Sequence, residues 1–236
     1  MIRHAIATAA VAASLLAAAA LGADDSATPR REAQAALKPF GPLVGTWRGT
    51  GQPRRGQAAG SWQESASWAW KLSDDSAALE IGVEKGKYLK SALLRPGGGP
   101  GAIVLDATLA DGSKRAFSGQ AAGGDKPLVL AAEGPGEGVR RVTLTIPNEN
   151  RFLLLLESRA SANAFARLGE VGFTRNGVVF AAGEAGPVCV VTEGRGTIPV
   201  SYQGKSYYVC CSGCRDLFTK DPAAIIAEAE ARKKGK

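Results

Sequence analysis

Hydrophobic and polar positions alternate with a period of two through much of the chain, and turn residues separate the alternating runs. In residues 61–72, Trp62, Trp68, Trp70 and Leu72 share one parity while Ser61, Ser67 and Lys71 hold the other, as in a half-buried strand. Comparable runs recur over 77–84, 87–94, 101–109, 113–118, 126–132, 139–146, 151–158 and 167–174. Lys85-Gly86, Asp111-Gly112 and the polar stretch 147–150 punctuate the series, and Asp-Gly is a strong hairpin signal. With an opening strand at 45–51, about ten strands follow one another without a helix long enough for a βαβ crossover. The pattern predicts a mainly β chain, an antiparallel meander that removes its edges by closing into a barrel over 38–176.

A different pattern follows. Residues 177–187 are rich in Gly and Ala and read as a docked connector, with Val178, Val179 and Phe180 able to add a strand. Over 188–234 the chain predicts a small α+β module: a hairpin of 198–202 and 206–209 around Gln203-Gly204-Lys205, and a short helix over 211–219. A second helix starts at Asp221-Pro222, which suit an N-cap and first helical position. A unit of this size buries little surface and calls for a staple, either a metal or a disulfide. Residues 24–37, polar and then alanine-rich, read as a leader or short helix.

Residues 1–23 combine a basic start, an apolar run from Ala5 to Leu21 and small residues before Asp24-Asp25. That arrangement predicts a cleaved secretory signal peptide and a secreted or periplasmic mature chain, without stable membrane insertion after cleavage. The net charge of +7 is mildly basic and scattered. With no basic stripe interleaved with aromatics, nucleic acid is not an expected partner. Thirty glycines and 6 % aromatic residues fit many turns and short strands.

The candidate chemistry lies in four cysteines, Cys189, Cys210, Cys211 and Cys214, all within one stretch of the module. Thiolates suit Zn²⁺ in a tetrahedral site or Cu(I) at lower coordination number. Adjacent side chains diverge, so Cys189, Cys210 and Cys214 form the core set and Cys211 an auxiliary ligand. The alternative is a pair of disulfides, which an oxidising compartment favours. No nucleophile-elbow, P-loop or zincin motif occurs, and the single histidine, His4, falls in the signal segment, so no enzyme activity is expected. A thiol oxidoreductase remains a third reading, since Cys211 and Cys214 have C-x-x-C spacing.

The block Cys189-Val190-Val191-Thr192, then 200–214 with its Tyr202-Gln203-Gly204-Lys205-Ser206-Tyr207-Tyr208-Val209-Cys210 core, then Phe218 and Asp221-Pro222, resembles the TRASH/YHS family of small heavy-metal-binding modules. The resemblance covers roughly the last fifty residues and implies that Cys189, Cys210 and Cys214 are metal ligands. This chain departs from it in having Val190, Val191 and Thr192 where many members carry a second Cys or a Pro, and in lacking a His near the last ligand.

Gly45-Thr46-Trp47-Arg48-Gly49-Thr50-Gly51, with residues 170–175 as closing strand, resembles nitrobindin-like and related lipocalin-like barrels. Members of that group ligate haem iron through a histidine. The only one here is His4, so no haem is expected. Trp47, Trp62, Trp68 and Trp70 are predicted for the barrel interior, as core or as the lining of a small apolar ligand site. The leading expectation is an exported metal-binding protein that sequesters, delivers or senses Cu(I) or Zn²⁺. The alternative is a lipocalin-like carrier with a stapled appendage.

Overall fold

A computed structural model describes residues 28–123, 126–161, 164–177 and 187–234. The signal segment with His4, and the expected strand at Val178, Val179 and Phe180, lie outside the described residues. The chain is mainly β, and its ten-stranded antiparallel sheet closes on itself. The strands are β1 (Gly45–Gln52), β2 (Trp62–Leu72), β3 (Ala77–Glu84), β4 (Leu89–Pro96), β5 (Ala102–Leu109), β6 (Lys114–Gln120), β7 (Leu128–Ala131), β8 (Arg141–Asn148), β9 (Arg151–Ser161) and β10 (Ala164–Arg175). Each strand pairs with its sequence neighbour, and β1 pairs with β10 from Trp47–Arg175 to Gln52–Glu170, closing the barrel.

The period-two pattern decides which side chains point inward. In β2, Glu64, Ala66, Trp68 and Trp70 are buried while Ser65 and Ser67 face out. In β1 the inward series is Trp47, Gly49 and Gly51. A Cβ on Gly49 would stand 2.6 Å from the Phe173 ring, and one on Gly51 would overlap the Trp62 indole. The two glycines therefore make room for aromatic rings from the adjoining strands. At the centre, Trp47 meets Phe152 edge-on at 4.8 Å, and Phe152 stacks on Phe173 at 4.4 Å. The Trp47 indole N–H donates to the Leu43 carbonyl, 2.8 Å. Pro147 lies inside β8, where the β8–β9 register shifts between Thr145 and Asn148, so the turn between these strands is shorter than 147–150.

One end of the barrel is covered by α1 (Pro29–Leu37) and a 3₁₀ segment, Lys38–Leu43, whose Leu37, Phe40 and Leu43 enter the core. The leader thus buries more than its polar sequence implies. The module follows with the hairpin β11 (Ile198–Tyr202) and β12 (Lys205–Val209), then α2 (Ser212–Lys220) and α3 (Pro222–Lys234). Gln203 and Gly204 both have positive φ, giving a two-residue turn of the type that matches strand twist. Asp221 caps α3, its carboxylate accepting the Ala224 N–H at 3.0 Å. No helix among the described residues is long and apolar enough to cross a membrane.

The module packs onto the barrel rather than trailing from it. Lys220 reaches Asp74 with 2.7 Å contacts to both oxygens, and Arg30 of α1 spans to Glu228 of α3 at 2.8 and 3.1 Å. The first of these is exposed and worth little; the Arg30 side chain is almost wholly buried, so its pairing fixes α3 against α1.

Candidate metal centre

Three segments deliver the cysteines. Cys189 sits in a tight loop, where its N–H donates to the Gly194 carbonyl (2.7 Å) and its carbonyl accepts from Glu193 N–H (2.9 Å). Hydrogen bonds from Val190 N–H to the Tyr208 carbonyl and from Thr197 N–H to the Val209 carbonyl, both 2.9 Å, tie this loop to β12. Cys210 ends β12. Cys211 is the N-cap residue of α2, and Cys214 lies in the helix's first turn.

The sulfurs of Cys189, Cys210 and Cys214 all lie within 4.8 Å of one another, and all three residues are buried. Cys210 and Cys214 are 3.5 Å apart. Metal–sulfur bonds of about 2.3 Å imply sulfur–sulfur distances of about 3.8 to 4.0 Å, so the three need only small adjustments to share one ion. The donors are all soft, which fits a soft metal. All four cysteines are free thiols.

Cys211 falls outside that set of three. Its sulfur is 3.9 Å from that of Cys210 and accepts the backbone N–H of Trp70 at 3.2 Å. Trp70 lies beyond the end of the β1–β2 pairing, which stops at Gly45–Trp68. The sulfur therefore satisfies a strand amide that the neighbouring strand leaves open. Gly213 belongs to the same contact: a Cβ there would overlap the Trp70 carbonyl oxygen. Neither feature is visible in sequence, because one partner is backbone and the other is a missing side chain.

The thiols share protons unequally. Hydrogen bonds from Cys210 and Cys214 push Cys189 far below the ordinary thiol range. Those from Cys210 and Cys214 do the same for Cys211. Cys210 and Cys214, as the donors, are pushed up. The Thr192 hydroxyl stands 3.4 Å from the Cys210 sulfur and places an oxygen beside the cluster. Cys210 also lines a cleft of about 380 Å³ between module and barrel.

The four tryptophans occupy different places. Trp47 is core; Trp68 lines the barrel interior; Trp70 borders the cleft beside the cysteines; Trp62 lies at the other end of β2, its indole N–H donating to Glu64 at 2.6 Å. The interior space is about 30 Å³ and wholly apolar. Small-molecule sites begin at about 300 Å³, so a ligand there requires the core side chains to open.

No protein-family model matches the chain, and no curated protein matches it. The chain is similar to the crystal structure of Rv2717c from M. tuberculosis, with 19 % identity, 60 % of this chain and 97 % of that chain covered, and a TM-score of 0.42.

Proposed function

We propose that this chain is an exported, non-enzymatic metal-binding protein whose Cys189, Cys210 and Cys214 hold a soft ion for sequestration or delivery. The observation that carries the reading is the convergence of three buried sulfurs, from a loop, a strand end and a helix start, within 4.8 Å. Cu(I) is favoured over Zn²⁺ because Zn²⁺ in closed protein sites takes four ligands, whereas three thiolates satisfy Cu(I). Cys211, held by the Trp70 amide, serves as the anchor between module and barrel. The TRASH/YHS resemblance of residues 189–222 supports the same assignment, and export rests on the pattern of residues 1–23.

The test is anaerobic purification, followed by measurement of bound Cu and Zn and of free thiols per chain. Wild type is expected to take up about one Cu(I) per chain, and Cys189→Ser, Cys210→Ser and Cys214→Ser to lose it. Absence of free thiols in the protein as purified, together with absence of uptake after reduction, overturns the reading in favour of a disulfide-stapled carrier.

A further inference from the structure

The charged residues described around the cleft that reaches Cys210 are mostly positive. Arg31, Gln34, Ala35 and Lys38 line it at helical spacing, so one face of α1 and the residue just past its end form a wall. The opposite wall is the cysteine loop with Arg195, and Arg175 and Arg232 close the ends. Among the described residues, only Glu149 and Glu193 oppose these five cations in the lining. Glu193 is already paired with Lys38 at 3.6 Å.

Two of the cations are fixed in place by backbone carbonyls. Arg175 donates to Val44, Pro42 and Glu149 and stacks over the Trp47 ring at 4.2 Å; Arg232 donates to Val190 at 2.6 Å. Burial first, and then the charge of Arg195, push the Arg175 guanidinium down. The two guanidiniums thus repel, and Glu149 offsets that repulsion only in part. A second cleft, about 490 Å³, shares Val44, Arg175, Arg195 and Cys210 with the first, so Cys210 lies where both meet. Of the three clustered sulfurs, Cys210 alone lines either space.

We propose that this cleft is the entry site for the metal in complexed form, an anionic thiol-carboxylate chelate of Cu(I) whose carboxylates are received by Arg31 and Arg195 while Cys210 displaces the chelate's sulfur. The inference rests on the metal reading above and names the donor that site accepts. The exchange conserves charge and oxidation state. A bond forms between the Cys210 sulfur and the ion, the bond between the ion and the chelate's sulfur breaks, and the Cys210 proton passes to the departing thiolate. Copper remains Cu(I), and no electron acceptor is required. The cleft volume suits a molecule of this size. Arginine pairs carboxylates through its planar fork of donors, and a cation-lined cleft raises the arrival rate of anions.

The test uses the full-length reduced protein and two Cu(I) donors, the complexes of mercaptosuccinate, which is anionic, and of monothioglycerol, which is neutral. Stopped-flow transfer is expected to be at least ten-fold faster from mercaptosuccinate at low ionic strength, with the advantage falling as salt rises. Arg31→Glu/Arg195→Glu, and separately the milder Arg31→Gln/Arg195→Gln, should abolish that advantage. Calorimetry of metal-free mercaptosuccinate against the apo protein should show binding that the double variants weaken at least ten-fold. Equal rates from the two donors, or an advantage untouched by both variants, overturns the proposal. Failure of the wild type to load Cu(I) from either donor sinks the metal reading itself; calorimetry then decides whether the cleft binds the carboxylate, and no binding overturns the cleft as well.

Discussion

The backbone amide of Trp70, on the second barrel strand, donates to the sulfur of Cys211, at the start of α2, across 3.2 Å and 141 residues of sequence. This bond joins the barrel to the cysteine module at the one cysteine that lies outside the three-sulfur cluster. Cys211→Ala removes the acceptor and leaves a buried amide unpaired, a cost of about 1 to 3 kcal/mol. Hydrogen exchange at Trp70 is expected to accelerate, while bound Cu(I) stays near one per chain. Loss of metal in this variant would instead make Cys211 a ligand.

Gly213→Ala tests the same seam by filling it. The new methyl meets the Trp70 carbonyl, so either α2 withdraws or β2 bends. Overpacking of this kind costs about 1 to 3 kcal/mol. Thermal unfolding should show a lower midpoint, and Trp70 exchange should rise as it does for Cys211→Ala.

Metal affinity is expected to climb with pH. In the metal-free protein, Cys210 and Cys214 are pushed above the ordinary thiol range and so carry protons at neutral pH, whereas Cys189 is pushed below it. Binding as thiolates therefore releases about two protons, and the logarithm of the apparent affinity should rise by about two per pH unit near neutrality. Proton release on Cu(I) addition to weakly buffered protein measures this directly. A slope near zero would mean that the ion is not bound by those two sulfurs as thiolates.

At the opposite end of β2, burial pushes the Glu64 carboxyl up, against the lowering effects of the Trp62 indole and the Lys87 amide. A raised folded-state value means that the fold favours the protonated form. Its contribution is complete below the unfolded value of about 4.5 and is lost as pH rises through the folded one. Glu64→Gln, which keeps an acceptor for Trp62, is expected to melt higher than wild type at pH 7, with the gap narrowing toward pH 4.

The barrel was legible because a closed antiparallel sheet sorts side chains by parity. The run from Trp62 to Leu72 shows that sorting directly, and Asp111-Gly112 marks the hairpin between β5 and β6. The hairpin at Ile198–Tyr202 was legible for the same reason. The helix over α1 was harder to read, since Leu37 and Arg30 bury themselves against partners far along the chain. The cysteine spacing pointed to a soft-metal cluster. It carried no trace of the Trp70 amide, the close approach at Gly213 or the cationic cleft, because those arise where a strand end, a loop and two helices meet.

Arg30 finds Glu228 across 198 residues, so the first and last described helices come together at the cysteine end of the barrel. Both line the cleft, α1 through Arg31 and α3 through Arg232. The barrel can close strand by strand, but the cleft is incomplete until α3 supplies Arg232. The basic lining of the cleft is thus a property of assembly, present only where α1 and α3 have docked against each other.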